Sequence, residues 1–154
     1  MRGLVIFDTR TGYTQAIATT IGEVLSGSLE IQVVPVRAAL HAALGDFDLL
    51  VIGGPTEAHG ATPALRELLG GLGEGTLDGV PAAAFDTRLH WPKLLSGSAA
   101  EEAARALEAA GCRLLLPPES FFVHDRADLA DPAELGRARA WAMRLDAALP
   151  VPVG

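Results

Sequence analysis

Cysteine is almost missing from this chain: Cys112 stands alone. One thiol closes no internal disulfide and builds no zinc or iron–sulfur cluster, so a reducing compartment is the expected setting. Long apolar runs are missing as well. Hydrophobic residues make up 49% of the chain, yet no run approaches the roughly 18 residues that a membrane helix needs, and no membrane partner is expected. There is no basic stripe either. The formal net charge is −7, which argues against nucleic acid as a ligand. Met1-Arg2-Gly3 leads straight into Leu4-Val5-Ile6-Phe7. That reads as a strand beginning almost at once, with no space for a signal peptide, so the expected location is cytoplasmic.

What the sequence does contain is an alternation of two periodicities. A length of 154 residues suits one domain with a real core. Strand-length apolar runs occur at Leu4 to Phe7, Ile31 to Val36, Leu49 to Ile52, Val80 to Phe85, and Arg113 to Leu116 continuing near Phe121 to Val123. They are continuous rather than alternating, as in a parallel sheet covered on both faces. Between them lie helical patterns: Ile17, Ile21, Val24 and Leu25 after Tyr13; a short stretch over Ala38 to Leu44; Leu65, Leu68 and Leu69 after Pro63. A fourth helix starts at Ser98 with Glu101 as its capping-box partner and stops at Gly111. A fifth has Asp131 as cap, Pro132 at its first position and Glu134 as partner, with Leu135, Ala138, Ala142, Leu145 and Leu149 on its apolar face. The order βαβαβαβαβα predicts an α/β fold, a doubly wound five-stranded parallel sheet of order 2-1-3-4-5 with helices on both faces. The ligand crevice of that topology lies at the carboxyl ends of strands one and three. Gly70 to Gly79 reads as a loop, and no repeat or domain boundary is visible. The domain is expected to span residues 1–149, with 150–154 as a loose tail that its prolines keep out of the last helix.

The most informative stretch is Asp8-Thr9-Arg10-Thr11-Gly12-Tyr13-Thr14, directly after strand one and opening the first helix. Free N–H groups at a helix N-terminus point outward, and the helix dipole favours an anion there. Gly12 allows close backbone approach, and Thr9, Thr11 and Thr14 add hydroxyl donors. The alternative is an N-capped helix whose threonines serve only the backbone. A Walker loop needs Gly-Lys-Ser/Thr, and a dinucleotide fingerprint needs three spaced glycines; neither is present. An aspartyl phosphotransferase would want a second acid near Asp8, where Arg10 stands instead.

The spacing Thr-x-Thr-Gly-x-Thr resembles the phosphate loop of the flavodoxin family, short-chain type, and implies FMN as cofactor. Gly53-Gly54-Pro55-Thr56-Glu57-Ala58-His59-Gly60 after strand three resembles the family's second flavin loop. There the glycines would let backbone approach a flat ring, Pro55 and Thr56 would shape the turn, and Gly60 would offer a peptide group near flavin N5. The other reading is an ordinary Gly-Pro turn. Strand four runs into Phe85-Asp86-Thr87-Arg88-Leu89-His90-Trp91-Pro92. In the family this loop covers the other face of the ring, which makes Trp91 the first stacking candidate and His90 the second. Trp91 could instead pack the loop onto the body. Asp86 and Thr87 stand where they could meet the pyrimidine or ribityl edge, and Asp86 would serve equally as a helix or turn cap. Two departures stand out: the second loop has no tryptophan, and the third has no tyrosine. Arg10 is unusual beside such a phosphate site; it either strengthens anion binding or is solvated.

His59, His90 and His124 each follow a predicted strand and should share the sheet's carboxyl edge, whereas His41 should not. The three could form a proton relay for a quinone-type substrate, or one could act beside the flavin; the alternative is that polar loops carry histidines and no two of these touch. No metal-ligand spacing is present, so no metal is expected. Cys112 reads as a small buried hydrophobe. With no triad or carboxylate pair, no catalytic side chain is assigned. The reading is an FMN-binding electron-transfer protein, monomer or homodimer, serving a redox partner protein (a reductase or an acceptor). The alternatives are an FMN-dependent quinone-type reductase, given room by Ala58, Gly60 and Ala61, and a binding or regulatory domain that has lost FMN.

Overall fold

A computed structural model describes residues 1–57, 59–124 and 130–151, without the side chains of 94 and 95. Strands β1 (Arg2–Phe7), β2 (Glu30–Pro35), β3 (Leu49–Pro55), β4 (Pro81–Leu89), β5 (Arg113–Leu114) and β6 (Glu119–Val123) form one sheet. All pairings are parallel, and the order is β2-β1-β3-β4 with both β5 and β6 against β4. This is the doubly wound 2-1-3-4-5 arrangement, its fifth strand in two pieces. β5 pairs with Pro81 and Ala82, β6 with Phe85 to Leu89. The break falls at Leu115 to Pro118. Pro117 and Pro118 have no N–H for the ladder, and only an edge position tolerates that.

The helices are α1 (Tyr13–Leu25), α2 (Val36–Ala39), α3 (Pro63–Gly70), α4 (Lys93–Ser96), α5 (Ala99–Ala109) and α6 (Pro132–Ala148). Alternate strand residues feed two cores. Val5, Val51, Ala83 and Phe85 meet Ile17, Ile21 and Leu25 of α1 and Ala138, Trp141 and Leu145 of α6. Leu4, Ile6, Ile52 and Ala84 meet Leu65 and Leu68 of α3 and Ala103 and Leu107 of α5. Covering both faces is why the strands are continuously apolar. Phe85, Phe121 and Trp141 pack edge to face, with centroids 6.0–6.1 Å apart.

Several local expectations change. Val36 opens α2 instead of closing β2, and the stretch predicted as a helix over Ala38 to Leu44 holds only the end of α2, with a 3-10 turn at Leu44–Asp46. Apolar content alone does not set a helix's length. The short α4 is an additional element that the apolar pattern does not predict. Ser98 does accept the Glu101 N–H at 3.2 Å, but the Glu101 carboxylate pairs with Lys93 at 2.8 Å. Asp131 caps Ala133 N at 2.9 Å. Glu134 does not close that capping box: it is buried, accepts from Phe122 N at 2.6 Å and pairs with Arg137 at 2.9 Å. A partner across the gap to β6 outcompetes the local one. Of the predicted tail, Pro150 and Val151 are exposed, and residues 152–154 lie outside the described residues.

Candidate functional site at the carboxyl edge

The loop after β1 is set by Asp8. Its amide donates to Gly53 O at 3.0 Å. Its carboxylate accepts from Thr9 N at 2.9 Å and from the Thr62 hydroxyl. Thr62 in turn accepts from Leu65 N as the N-cap of α3. Asp8 is thus a brace between loops. Thr9 Oγ1 accepts from Gly12 N at 2.9 Å. Gly12, at φ 92, is the N-cap of α1, and this helix has neither a side-chain cap nor an acid in its first turn. Ala16 N, bonded to Gly12 O, makes the first intrahelical bond. Among the described residues, the amides of Arg10, Thr11, Tyr13, Thr14 and Gln15 have no hydrogen-bond acceptor. An uncapped helix N-terminus behind a left-handed glycine is an anion cradle, and a Cβ added at Gly12 would meet nothing within 4 Å. The backbone, more than the hydroxyls, supplies this cradle. Thr9 already serves Gly12, and Thr14 Oγ1 bonds Thr87 Oγ1 at 2.7 Å. Thr11 is exposed. Tyr13 is buried and donates from its hydroxyl to Phe122 O at 2.6 Å; burial raises its pKa, which keeps that donor protonated.

The second loop is a tight turn. Glu57 N donates to Gly60 O and Gly60 N to Glu57 O, both at 2.8 Å. Gly60 is buried, and its amide and carbonyl are both engaged in that turn, so the peptide expected to face a flavin is turned to its own loop. Gly53 and Gly54 also serve packing. A side chain at Gly53 would collide with the Phe85 ring, and one at Gly54 would meet Leu65 at 3.0 Å. Thr56 N bonds Thr87 O at 2.9 Å at the end of Pro55's strand. Arg10, exposed, forms a two-point pair with Glu57 at 2.8 and 3.0 Å and ties the first loop to the second. Ala58, counted among the small residues that would leave room for a substrate, lies outside the described residues.

His59 is exposed and has φ 74, the one positive value for a non-glycine among the described residues. Its carbonyl rests on Gly97, where any side chain would clash with it. The left-handed region costs an L-residue about 1–2 kcal/mol. His59→Gly is therefore expected to be more stable than His59→Ala by about 1 kcal/mol, or about 2–4 °C in Tm at this chain length, as read by thermal unfolding.

Glu102 on α5 accepts Ala61 N at 2.8 Å and pairs with Arg66 at 2.8 Å, anchoring the loop's far end. Burial alone would raise its carboxyl pKa. The hydrogen bonds from Arg66 and Ala61 N and the charges of Arg66 and Arg105 outweigh burial and hold it below the ordinary value. A depressed folded-state pKa stabilises above the unfolded value and ceases to do so as pH falls through the folded one. Glu102→Gln is expected to lower Tm slightly at pH 7, and the gap from the wild type should close below about pH 4, measured by paired melts across that range.

In the third loop, Asp86 is fully buried. Its Oδ2 accepts from Ser98 Oγ at 2.6 Å, Ala100 N at 3.1 Å and Thr56 Oγ1 at 3.2 Å, and its Oδ1 has no partner among the described residues. It braces the second loop against the start of α5, the capping role weighed from sequence. Trp91 is 57% exposed and does not pack onto the body. His90 stacks on Phe122 at 4.2 Å and 16°. Sequence reasoning passed over Arg88, whose signal was an arginine between the inward Thr87 and the exposed Leu89.

These contacts bring the first, second and third loops together at one edge. His124 follows β6 on the same carboxyl edge, beside His90 in register and 3.8 Å from Asp131, whereas His41 follows α2. Among the described residues no three His, Cys, Asp or Glu side chains are placed to hold a metal. Burial pushes the Cys112 thiol up to about 11, which keeps it protonated and unreactive. A cavity of about 410 Å³ opens beside the first loop, between Asp8, Thr9 and Arg10, Val36 and Arg37 of α2, and the start of α3. It lies beside the carboxyl ends of β1 and β2. Among the described residues no helix is long and apolar enough to cross a membrane.

A doubly wound sheet with an uncapped anion cradle after its first strand defines a phosphoryl-ligand-binding α/β protein of the switch-point class. The sequence model of the flavodoxin domain matches residues 4–91, and the chain belongs to that family. No curated protein sequence matches it. Solved structures share the fold at low identity. A flavodoxin from Streptococcus pneumoniae is 15% identical, with a TM-score of 0.81, over 96% of this chain and 99% of that one. Bacillus cereus flavodoxin 2 is 16% identical, with a TM-score of 0.81, over 94% and 97%. A mutant flavodoxin from Pseudomonas aeruginosa is 19% identical, with a TM-score of 0.75, over 97% and 99%.

Proposed function

We propose that this chain is a single flavodoxin-like domain over residues 1–149 that holds FMN at the carboxyl edge and passes electrons to a redox partner protein in the cytoplasm. The observation that carries this reading is the uncapped start of α1 behind Gly12. It offers outward amides to a phosphomonoester with no lysine or metal required. The free amides of Arg10, Thr11, Tyr13 and Thr14 and the Thr11 hydroxyl bind the phosphate. Trp91, left exposed by the third loop, supplies a stacking face for the ring. Pro55, Thr56, Asp86 and Thr87 position the loops, and His59 and His90 border the ring's site. Bound FMN supplies the redox chemistry; the chain supplies orientation and electrostatics.

A quinone-type reductase is the second reading, favoured by one observation: the His59 imidazole is held exposed in a strained backbone conformation at the loop's tip. NAD(P)H oxidation coupled to a quinone separates it from a carrier. The first test is FMN titration of the full chain. Quenching of flavin fluorescence at one equivalent is the expected result. A protein that stays colourless after soaking in FMN overturns the flavin reading and leaves a binding or regulatory domain.

A further inference from the structure

Arg88 differs from the four arginines that form ion pairs among the described residues. Arg10, Arg66, Arg137 and Arg144 pair with carboxylates, and their side chains are 42–61% exposed. Arg88 is only 9% exposed, and its hydrogen-bond partners among the described residues are neutral. Nε donates to Ser120 Oγ at 2.9 Å, and Nη1 donates to Trp91 O at 2.6 Å and to Ser96 Oγ at 3.3 Å. The Phe122 ring lies 5.2 Å from its central carbon. Among the described residues no carboxylate lies within ion-pair distance of it. Asp86, two residues earlier on the strand, directs its Oδ2 to Thr56, Ser98 and the Ala100 amide.

A guanidinium does not lose its proton in a protein, and a buried charge without a counter-ion is costly. The charge here is held inside the arch of the third loop, between the carbonyl of Trp91 and Ser96. Resting on the FMN reading, we propose that Arg88 is a fixed positive charge that raises the reduction potential of the bound flavin. Two electrons from the redox partner and one proton from solvent would leave the ring of bound FMN, neutral when oxidised, with a negative charge. A nearby cation in a low-dielectric setting favours that anion over the oxidised form. It also counteracts the net charge of −7, which disfavours adding negative charge.

The test uses the full chain loaded with FMN at pH 8, with the affinity for oxidised FMN measured first and the two-electron midpoint potential second. Arg88→Gln is expected to weaken reduced FMN relative to oxidised FMN by about tenfold, a fall of about 30 mV. Arg88→Lys should restore the ratio to within about twofold of wild type. Ser120→Asp sets a carboxylate against Nε while keeping the arginine, so it should lower the potential in the same direction even if Arg88→Gln fails to fold. A wild-type potential in Arg88→Gln or in Ser120→Asp overturns the proposal. So does a lysine variant that shifts as far as the glutamine variant, because loop packing would then explain both. A wild-type chain that takes up no FMN overturns the flavin reading itself, an outcome visible before any potential is measured.

Discussion

Replacing Thr11 and Gly12 together by valine should lower the affinity for FMN about 100-fold and leave the affinity for riboflavin, which lacks the phosphate, close to that of the wild type. Gly12 sits at φ 92, a region in which a β-branched residue is a true outlier. Space is not the obstacle, since nothing lies within 4 Å of an added Cβ; the backbone angle is. Valine pulls the turn toward negative φ and re-aims the amides of Thr11, Tyr13 and Thr14, while the change at position 11 deletes an exposed hydroxyl. Hydrogen bonds to a charged group contribute about 1.5–3 kcal/mol each. Losing the equivalent of one or two gives about 3 kcal/mol, and tenfold in affinity corresponds to about 1.4 kcal/mol. The strain in the turn costs about 1–2 kcal/mol, which a domain stable by about 5–15 kcal/mol tolerates. Fluorescence titrations with both flavins and a thermal melt separate the outcomes. Equal losses for FMN and riboflavin would mean that the turn supports the whole site and does not grip the phosphate.

The sheet was legible because both of its faces are covered, which leaves continuous apolar runs such as Leu49 to Ile52. The order of elements then admitted few topologies. The first loop was legible for a related reason: an uncapped helix start is a local property, written in Gly12 and the absence of an acid after it. Long-range partners were harder to read. Gly53 resembled a glycine kept for a ligand, but its missing side chain makes way for Phe85 on the neighbouring strand. Glu134 had the spacing of a capping box and instead reaches β6. Arg88 carried no motif, because what distinguishes it is burial against Ser120 and Ser96, far from it in sequence or beyond a turn. Local spacing fixes what a residue is able to do at its own helix end or turn, and tertiary contacts decide whether it does so.

Asp86 shows that limit most sharply, and Asp86→Ala is expected to destabilise the protein by about 3 kcal/mol or more. The Ser98 and Thr56 hydroxyls and the Ala100 amide all converge on its Oδ2. Removing the acceptor leaves three donors in a buried place, each costing about 1–3 kcal/mol when unsatisfied. The two hydroxyls can rotate toward other acceptors, which sets the estimate at the low end; the Ala100 amide, fixed at the start of α5, cannot. The carboxylate also faces the positive end of that helix, a favourable position that alanine forfeits. At about 2–4 °C per kcal/mol the Tm should fall by about 6–12 °C. Asp86→Asn keeps an oxygen acceptor and should lose clearly less. It does not reach zero, because its amide nitrogen must stand where Oδ1 has no partner. Because Thr56 lies in the second loop and Ser98 follows the third, the alanine variant should also bind FMN more weakly at temperatures where it is folded. Saturating FMN should then raise its Tm by less than it raises that of the wild type. An alanine variant that melts with the wild type would show that water or a rearranged Thr56 satisfies these donors, and that the carboxylate does not hold the two loops together.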